Sequence, residues 1–203
     1  MDNYLIAAMI LFSVNSQASG LPAPLGLEWG LSESQVINKY DGVPSGSEGR
    51  LRFYEIHKPP QPLPGFESTV GVVDSVYGLV KVETYKTISD DAFGDSGKKD
   101  YFRFKSILQN KYGNADSIEV IGNHIYTKSD EFYQCLSYSG CGAFISTFSP
   151  RGGGMAGLSL GGKGVGNRGR GNGWIRLSYE SPNFANAKDE SAKENDKKAS
   201  DAL

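Results

Sequence analysis

Residues 151–173 read RGGGMAGLSLGGKGVGNRGRGNG and hold 11 glycines in 23 positions. How this tract is read decides what the flanking segments can be. It spells three catalogue motifs at once. Gly164-x-Gly166-x-x-Gly169 matches a dinucleotide fingerprint, Gly157-x-x-x-x-Gly162-Lys163 nearly matches a phosphate loop, and Gly157-x-Ser159-x-Gly161 matches a nucleophile elbow. Each depends on a rigid helix start, because helix N-terminal amides hold the phosphates and a strand-to-helix turn presents the serine. Glycine in a helix interior is about 1 kcal/mol less favourable than alanine, so residues 165–173 are not expected to form that helix. Gly164 also stands where a phosphate loop needs Ser or Thr, and both histidines, His57 and His124, precede Ser159. The tract is therefore read as a surface loop joining two strands. Its cations Arg151, Lys163, Arg168 and Arg170, with the following Trp174, make it a candidate contact for an acidic patch on a partner protein. An RGG-like nucleic-acid segment is disfavoured by the lack of an aromatic platform before Trp174.

Working outward, WIRLSYES (174–181) reads as a strand on one side. On the other, EFYQCLSY and GAFISTF read as a hairpin with Cys135 and Cys141 bracketing its turn. The only two cysteines, this close together, are most simply a disulfide in an oxidising compartment, worth about 2 kcal/mol by loop closure. Upstream, Tyr101, Phe104, Ile107, Leu108 and Tyr112 recur at helical spacing in a helix that begins near Asp100 and closes at Gly113. SIEVI (117–121), LRFYEIH (51–57) and the run Thr69–Thr87 read as strands, the last turning at Asp74-Ser75 or near Gly78. KPPQPLPG is a proline-rich surface loop. In LGLEWGLSESQVINKYDG, Ser32 and Gln35 form a capping box and Val36, Ile37 and Tyr40 an apolar stripe. NKYDG (38–42) and NKYG (110–113) end two helices alike. A tandem duplication of a helix-plus-meander unit would explain the echo, and so would a shared helix-stop signal. The order of helix, strands, helix and strands predicts an α+β fold, an antiparallel sheet with helices packed on one face.

The ends of the chain differ from its middle. An apolar run from Leu5 to Phe12 followed by Ser16-Gln17-Ala18 marks residues 1–19 as an expected signal peptide, cleaved after Ala18 and too short to span a bilayer. Residues 20–184 are expected to form a single domain. The segment 185–203 has mixed charge and no large apolar residue before Leu203, and is expected to be a disordered tail or a solvated helix. The formal net charge of −2 gives no global attraction to nucleic acid or anionic lipid.

At LGLEWGLSESQV the chain resembles small exported bacterial α+β proteins of the beta-lactamase-inhibitor-protein-like and BamE-like kind, through Leu27, Trp29, Gly30, Ser32 and Val36. The resemblance implies a fold, export to the periplasm and protein binding without catalysis. The residues themselves leave other classes open. A small exported hydrolase would use His57, His124 or the Asp90–Asp95 loop, and a carrier would hold an apolar ligand between sheet and helices. The reading carried forward is an exported, non-enzymatic protein-binding module, either inhibitor, immunity factor or envelope component. It needs no cofactor or metal, inserts in no membrane once the signal is removed, and binds no nucleic acid.

Overall fold

One antiparallel sheet of eight strands organises the molecule, in the order β1-β2-β3-β4-β8-β7-β6-β5. The computed structural model describes residues 20–122 and 125–203; the signal peptide expected at 1–19 and His124 lie outside the described residues. The chain runs α1 (Glu33–Tyr40), β1 (Gly42–Glu48), β2 (Leu51–Ile56), β3 (Ser68–Asp74) and β4 (Gly78–Ile88). It continues with α2 (Asp95–Tyr112), β5 (Asp116–Val120), the short α3 (Phe132–Ser137), β6 (Ala143–Phe148), β7 (Met155–Gly162), β8 (Gly173–Glu180) and α4 (Phe184–Ala202). A helix and four strands therefore occur twice, with α3 inserted after the first strand of the second set, and the two sets meet where β4 pairs with β8.

Local sequence explains the helix starts and stops. Ser32 and Gln35 make a reciprocal capping box on α1, and Asp41 rather than Gly42 takes the left-handed conformation that ends it. The helix expected near Asp100 begins one turn earlier, because the Asp91 carboxylate accepts the Gly97 amide at 2.9 Å and supplies the cap that Gly94 cannot. Gly97, Tyr101, Phe104 and Leu108 form its buried stripe, whereas Ile107, assigned to that face, points to solvent.

Alternation along the strands separates two faces. On one, Ile175, Leu177 and Tyr179 of β8 join Ala156, Leu158 and Leu160 of β7 in a core closed by Tyr101, Phe104 and Leu108 of α2 and by Phe132 and Tyr133 of α3. The same face of the first unit buries Tyr54, Ile56, Val73, Leu79 and Val82 against Val36 of α1. Among the described residues the opposite face is bare over the second unit and covered over the first by α4, whose Ala187 packs on Leu51, Val72 and Val80. The expectation of helices on one face alone is thus corrected.

Four segments differ from their sequence reading. Residues 151–173 are not one loop, since Met155–Gly162 is a central strand paired on both sides, to β6 and β8. Its alternating Ala156, Leu158 and Leu160 face the core, and burial outweighs the intrinsic weakness of glycine in a strand. EFYQCLSY is not a strand, for Phe132–Ser137 is helical and turns Phe132, Tyr133 and Cys135 inward. The Cys135–Cys141 disulfide, with Cα atoms 5.1 Å apart, therefore ties the end of α3 to the entry of β6 rather than stapling a hairpin. GVPSGSE, which carries no apolar alternation, forms β1 at the sheet edge, where Pro44 and a bulge between Pro44 and Gly46 are tolerated. The segment expected as a disordered tail or a solvated helix belongs to α4, which is helical and anchored rather than free: Phe184 packs on the sheet, Ala187 is fully buried, and Ser191 donates to Glu48 O at 3.0 Å while accepting the Arg50 amide at 3.1 Å.

Candidate functional site

The bare face of β4, β8 and β7 is built by alternation. In GWIRLSYE, Ile175, Leu177 and Tyr179 face the core, so Trp174, Arg176, Ser178 and Glu180 face outward. Register then fixes the neighbours: Trp174 lies opposite Gly161, Arg176 opposite Ser159 on one side and Tyr85 on the other, and Ser178 opposite Glu83. Gly161 leaves room for the ring. The Trp174 indole lies against β7, and a Cβ at 161 would stand 2.2 Å from its Cζ2. The indole Nε1 donates to Gly162 O at 3.2 Å and fixes the ring from its edge. Tyr85 meets the ring edge-on, with centroids 6.5 Å apart, and the Arg176 guanidinium sits 5.6 Å from its centroid. The result is a held aromatic plate with a cation and a phenol beside it.

A charged row borders the plate. Tyr85 donates a short hydrogen bond to Glu83, Lys81 Nζ lies 3.1 Å from Glu83 and 3.2 Å from Glu180, and Arg176 approaches Glu83 at 3.8 Å. Burial pushes the Glu83 carboxyl up, but the Tyr85 hydroxyl and the Lys81 charge outweigh it and hold Glu83 below the usual carboxylate range. Burial, then the bond to Glu83, pushes the Tyr85 phenol up to about 12. The Arg176 Nε has no hydrogen-bond partner among the described residues, an unmet donor within the plate.

The five residues expected to form one contact are divided by β7. Arg151 precedes the strand, whereas Lys163, Arg168 and Arg170 follow it, so about 25 Å of extended chain separates them. Arg170 is engaged by Asp130. Lys163 follows the end of β7 and Arg168 lies in the loop that packs against α3; both are exposed and form no ion pair among the described residues. The connecting loop is tethered: Asn172 Nδ2 donates to Arg168 O and Arg170 O, and Gly164 N donates to Ser137 Oγ at 3.0 Å.

The catalogue motifs fare differently in detail. Ser159 is buried in mid-strand, not on an elbow. The helical structure within 165–173 is three residues of 3-10 helix at Asn167–Gly169, short of the helix the motifs need. Around it Gly169 N donates to Gly166 O and Arg170 N to Asn167 O. His57 is half-exposed, 3.9 Å from Asp41 and 3.6 Å from Glu55, at the rim of a cavity of about 370 Å3 lined by Phe66, Thr69 and Thr84. In the Asp90–Asp95 loop, Asp91 is consumed by the Gly97 amide and the Tyr133 hydroxyl, the latter at 2.7 Å. Among the described residues no group of three or more His, Cys, Asp or Glu side chains is placed to hold a metal ion.

A second concavity, about 540 Å3, lies between α4 and the sheet, with Leu51, Phe53, Val70 and Val72 as its floor and Lys81 and Lys188 on its walls. Tyr85 and Arg176 were not singled out from the sequence. Their signal was present in the alternation of KVETYKT and WIRLSYE, but only cross-strand register brings them beside Trp174. Comparison of the chain with protein-family models, with curated proteins and with solved structures finds no match.

Proposed function

We propose that this chain is an exported, non-enzymatic protein-binding module that docks onto a partner protein through the bare face of its sheet, with Trp174 at the centre of the contact. The observation that carries this reading is the immobilised indole over Gly161, flanked by Tyr85 and Arg176. Tryptophan, tyrosine and arginine dominate binding hot spots, and a ring already fixed loses little entropy when a partner covers it. The exposed cations Lys163 and Arg168 of the β7–β8 loop favour an acidic patch on that partner. Export is supported by the Leu5–Phe12 run and by the Cys135–Cys141 disulfide, which suits an oxidising compartment such as the periplasm. Cleavage after Ala18 would leave Leu21, buried and bonded to Gly153 O at 2.9 Å, in place. The repeated helix-plus-four-strand order suits the inhibitor-like resemblance of the α1 opening. Among the described residues no helix is long and apolar enough to cross a membrane. The partner is a protein rather than nucleic acid, and the role is that of an inhibitor, immunity factor or envelope component.

The experiment is affinity capture from an envelope fraction with the chain and its Trp174→Ala variant as parallel baits. The expected result is a protein partner retained by the first and lost by the second, with affinity for the purified partner reduced at least 30-fold, about 2 kcal/mol. Failure to enrich any protein, or equal capture by both baits, would overturn the proposal. The apolar-ligand carrier reading keeps one observation in its favour, the apolar-floored cavity under α4, and a small molecule retained in native mass spectra would favour it instead.

A further inference from the structure

The two edges of the sheet are built differently. β1 is protected in the manner of a solvent-facing edge, with Pro44, a bulge beside it and small polar residues beyond. Among the described residues β5 is the other edge, and it has neither the proline nor the bulge, its only charges being the acidic Asp116 and Glu119. Its five residues, DSIEV, pair with β6 in unbroken register, it carries neither lysine nor proline, and Ile118 is 56% and Val120 46% exposed. An edge strand in unbroken register that exposes β-branched side chains is a template for another strand.

The register identifies which strand it takes. Ile118 lies opposite Ile145, itself 43% exposed, and Ile145 lies opposite Ser159, on the bare face that carries Trp174. An antiparallel second copy of β5, related by a two-fold axis at Ile118, extends this row as Ile145–Ile118–Ile118–Ile145 across the junction. In the same register Asp116 faces Val120 of the other copy, and Ser117 faces Glu119. No like charges stand opposite one another, and Glu119 is already neutralised by Lys105 at 2.6 Å. We infer that β5 is a self-association edge, through which two copies of this chain join their sheets into one continuous sheet centred on Ile118. The bare faces of the two copies then form a single surface. A ladder of five residues lies at the small end of interface sizes, so the association is weak and concentration-dependent.

Sedimentation equilibrium of the chain from micromolar to millimolar concentration tests this inference, independently of whether a partner binds at Trp174. A monomer–dimer equilibrium is expected. Ile118→Lys sets two lysines against each other at the axis and is expected to weaken the dimer at least 10-fold; because residue 118 is exposed, its circular dichroism should match the parent. An equimolar mixture of Ile118→Lys and Ile118→Glu is expected to restore dimers that neither variant forms alone. A chain that remains monomeric throughout, a dimer indifferent to Ile118→Lys, or a mixture without rescue would overturn the inference.

Discussion

Alanine at position 162 is expected to destabilise the fold by about 3 kcal/mol, read as a lowered urea midpoint at unchanged slope. The Cβ would land on the Tyr133 carbonyl oxygen and the Ser137 hydroxyl of α3, and the first of these is backbone in a helix fastened by the Cys135–Cys141 disulfide. That carbonyl cannot swing aside as a flexible side chain would. The glycines of this tract are therefore unequal. Gly164→Ala and Gly166→Ala meet nothing within 4 Å and are expected to change stability by less than about 0.5 kcal/mol. Gly161→Ala is expected to lift the Trp174 ring off β7, visible in tryptophan fluorescence, with a smaller loss of stability because the obstructing atoms belong to a surface side chain. A uniformly loose glycine loop would give four similar, small effects.

The second large effect is expected at Asp74→Ala, a loss of about 3–5 kcal/mol. The Asp74 side chain is fully buried and accepts from Arg50 Nε and Nη2 at 2.8 Å each and from the Val76 and Tyr77 amides at 2.9 Å. Its removal leaves a buried guanidinium with Glu190 as its remaining carboxylate and two turn amides unpaired. It also loosens α4, which Arg50 holds through Glu190. Glu190→Gln, at a partly exposed carboxylate, is expected to change stability by no more than about 1 kcal/mol. The pH dependence follows from the same geometry. Burial pushes the Asp74 carboxyl up, but Arg50 and the two amides outweigh it, so its pKa in the folded state is below the ordinary value. Asp91 behaves likewise, with burial opposed by the Gly97 amide and the Tyr133 hydroxyl. A carboxylate whose folded pKa is depressed contributes stability that is complete above the unfolded value, about 4, and is lost as pH falls through the folded value. Stability should be flat from neutrality to about pH 5 and decline below about pH 4, with a shallower decline in Asp74→Asn.

What could be read from the sequence was local. The Ser32–Gln35 capping box, the NKY stops at Tyr40 and Tyr112, and the strand runs of β2, β3, β4 and β8 are marked by residues within a few positions of one another. What was hidden depends on distant partners. The glycine content of β7 obscured its buried Ala156, Leu158 and Leu160, and those glycines reflect what lies against them: Trp174 over Gly161 and Tyr133 beside Gly162. Beyond Phe184, α4 lacks large apolar residues because Ala187 and Ser191 seat directly on the sheet, with Arg50 reaching Glu190 from 140 positions away in the chain. At the site, Trp174 and the cations were visible as residue types. Their separation by β7, and the company of Tyr85 and Arg176, follow from register, which no single segment encodes.

Hydrogen exchange resolved to single amides across 155–173 measures most directly whether the glycine tract is a central strand followed by a tethered loop. The amides of Ala156 to Gly161 are expected to exchange only by global unfolding, at the rate of Ile175 and Leu177 in β8, while Val165 to Arg168 exchange orders of magnitude faster. Equal, rapid exchange along the whole tract would contradict the strand, and with it the plate on which Trp174 rests.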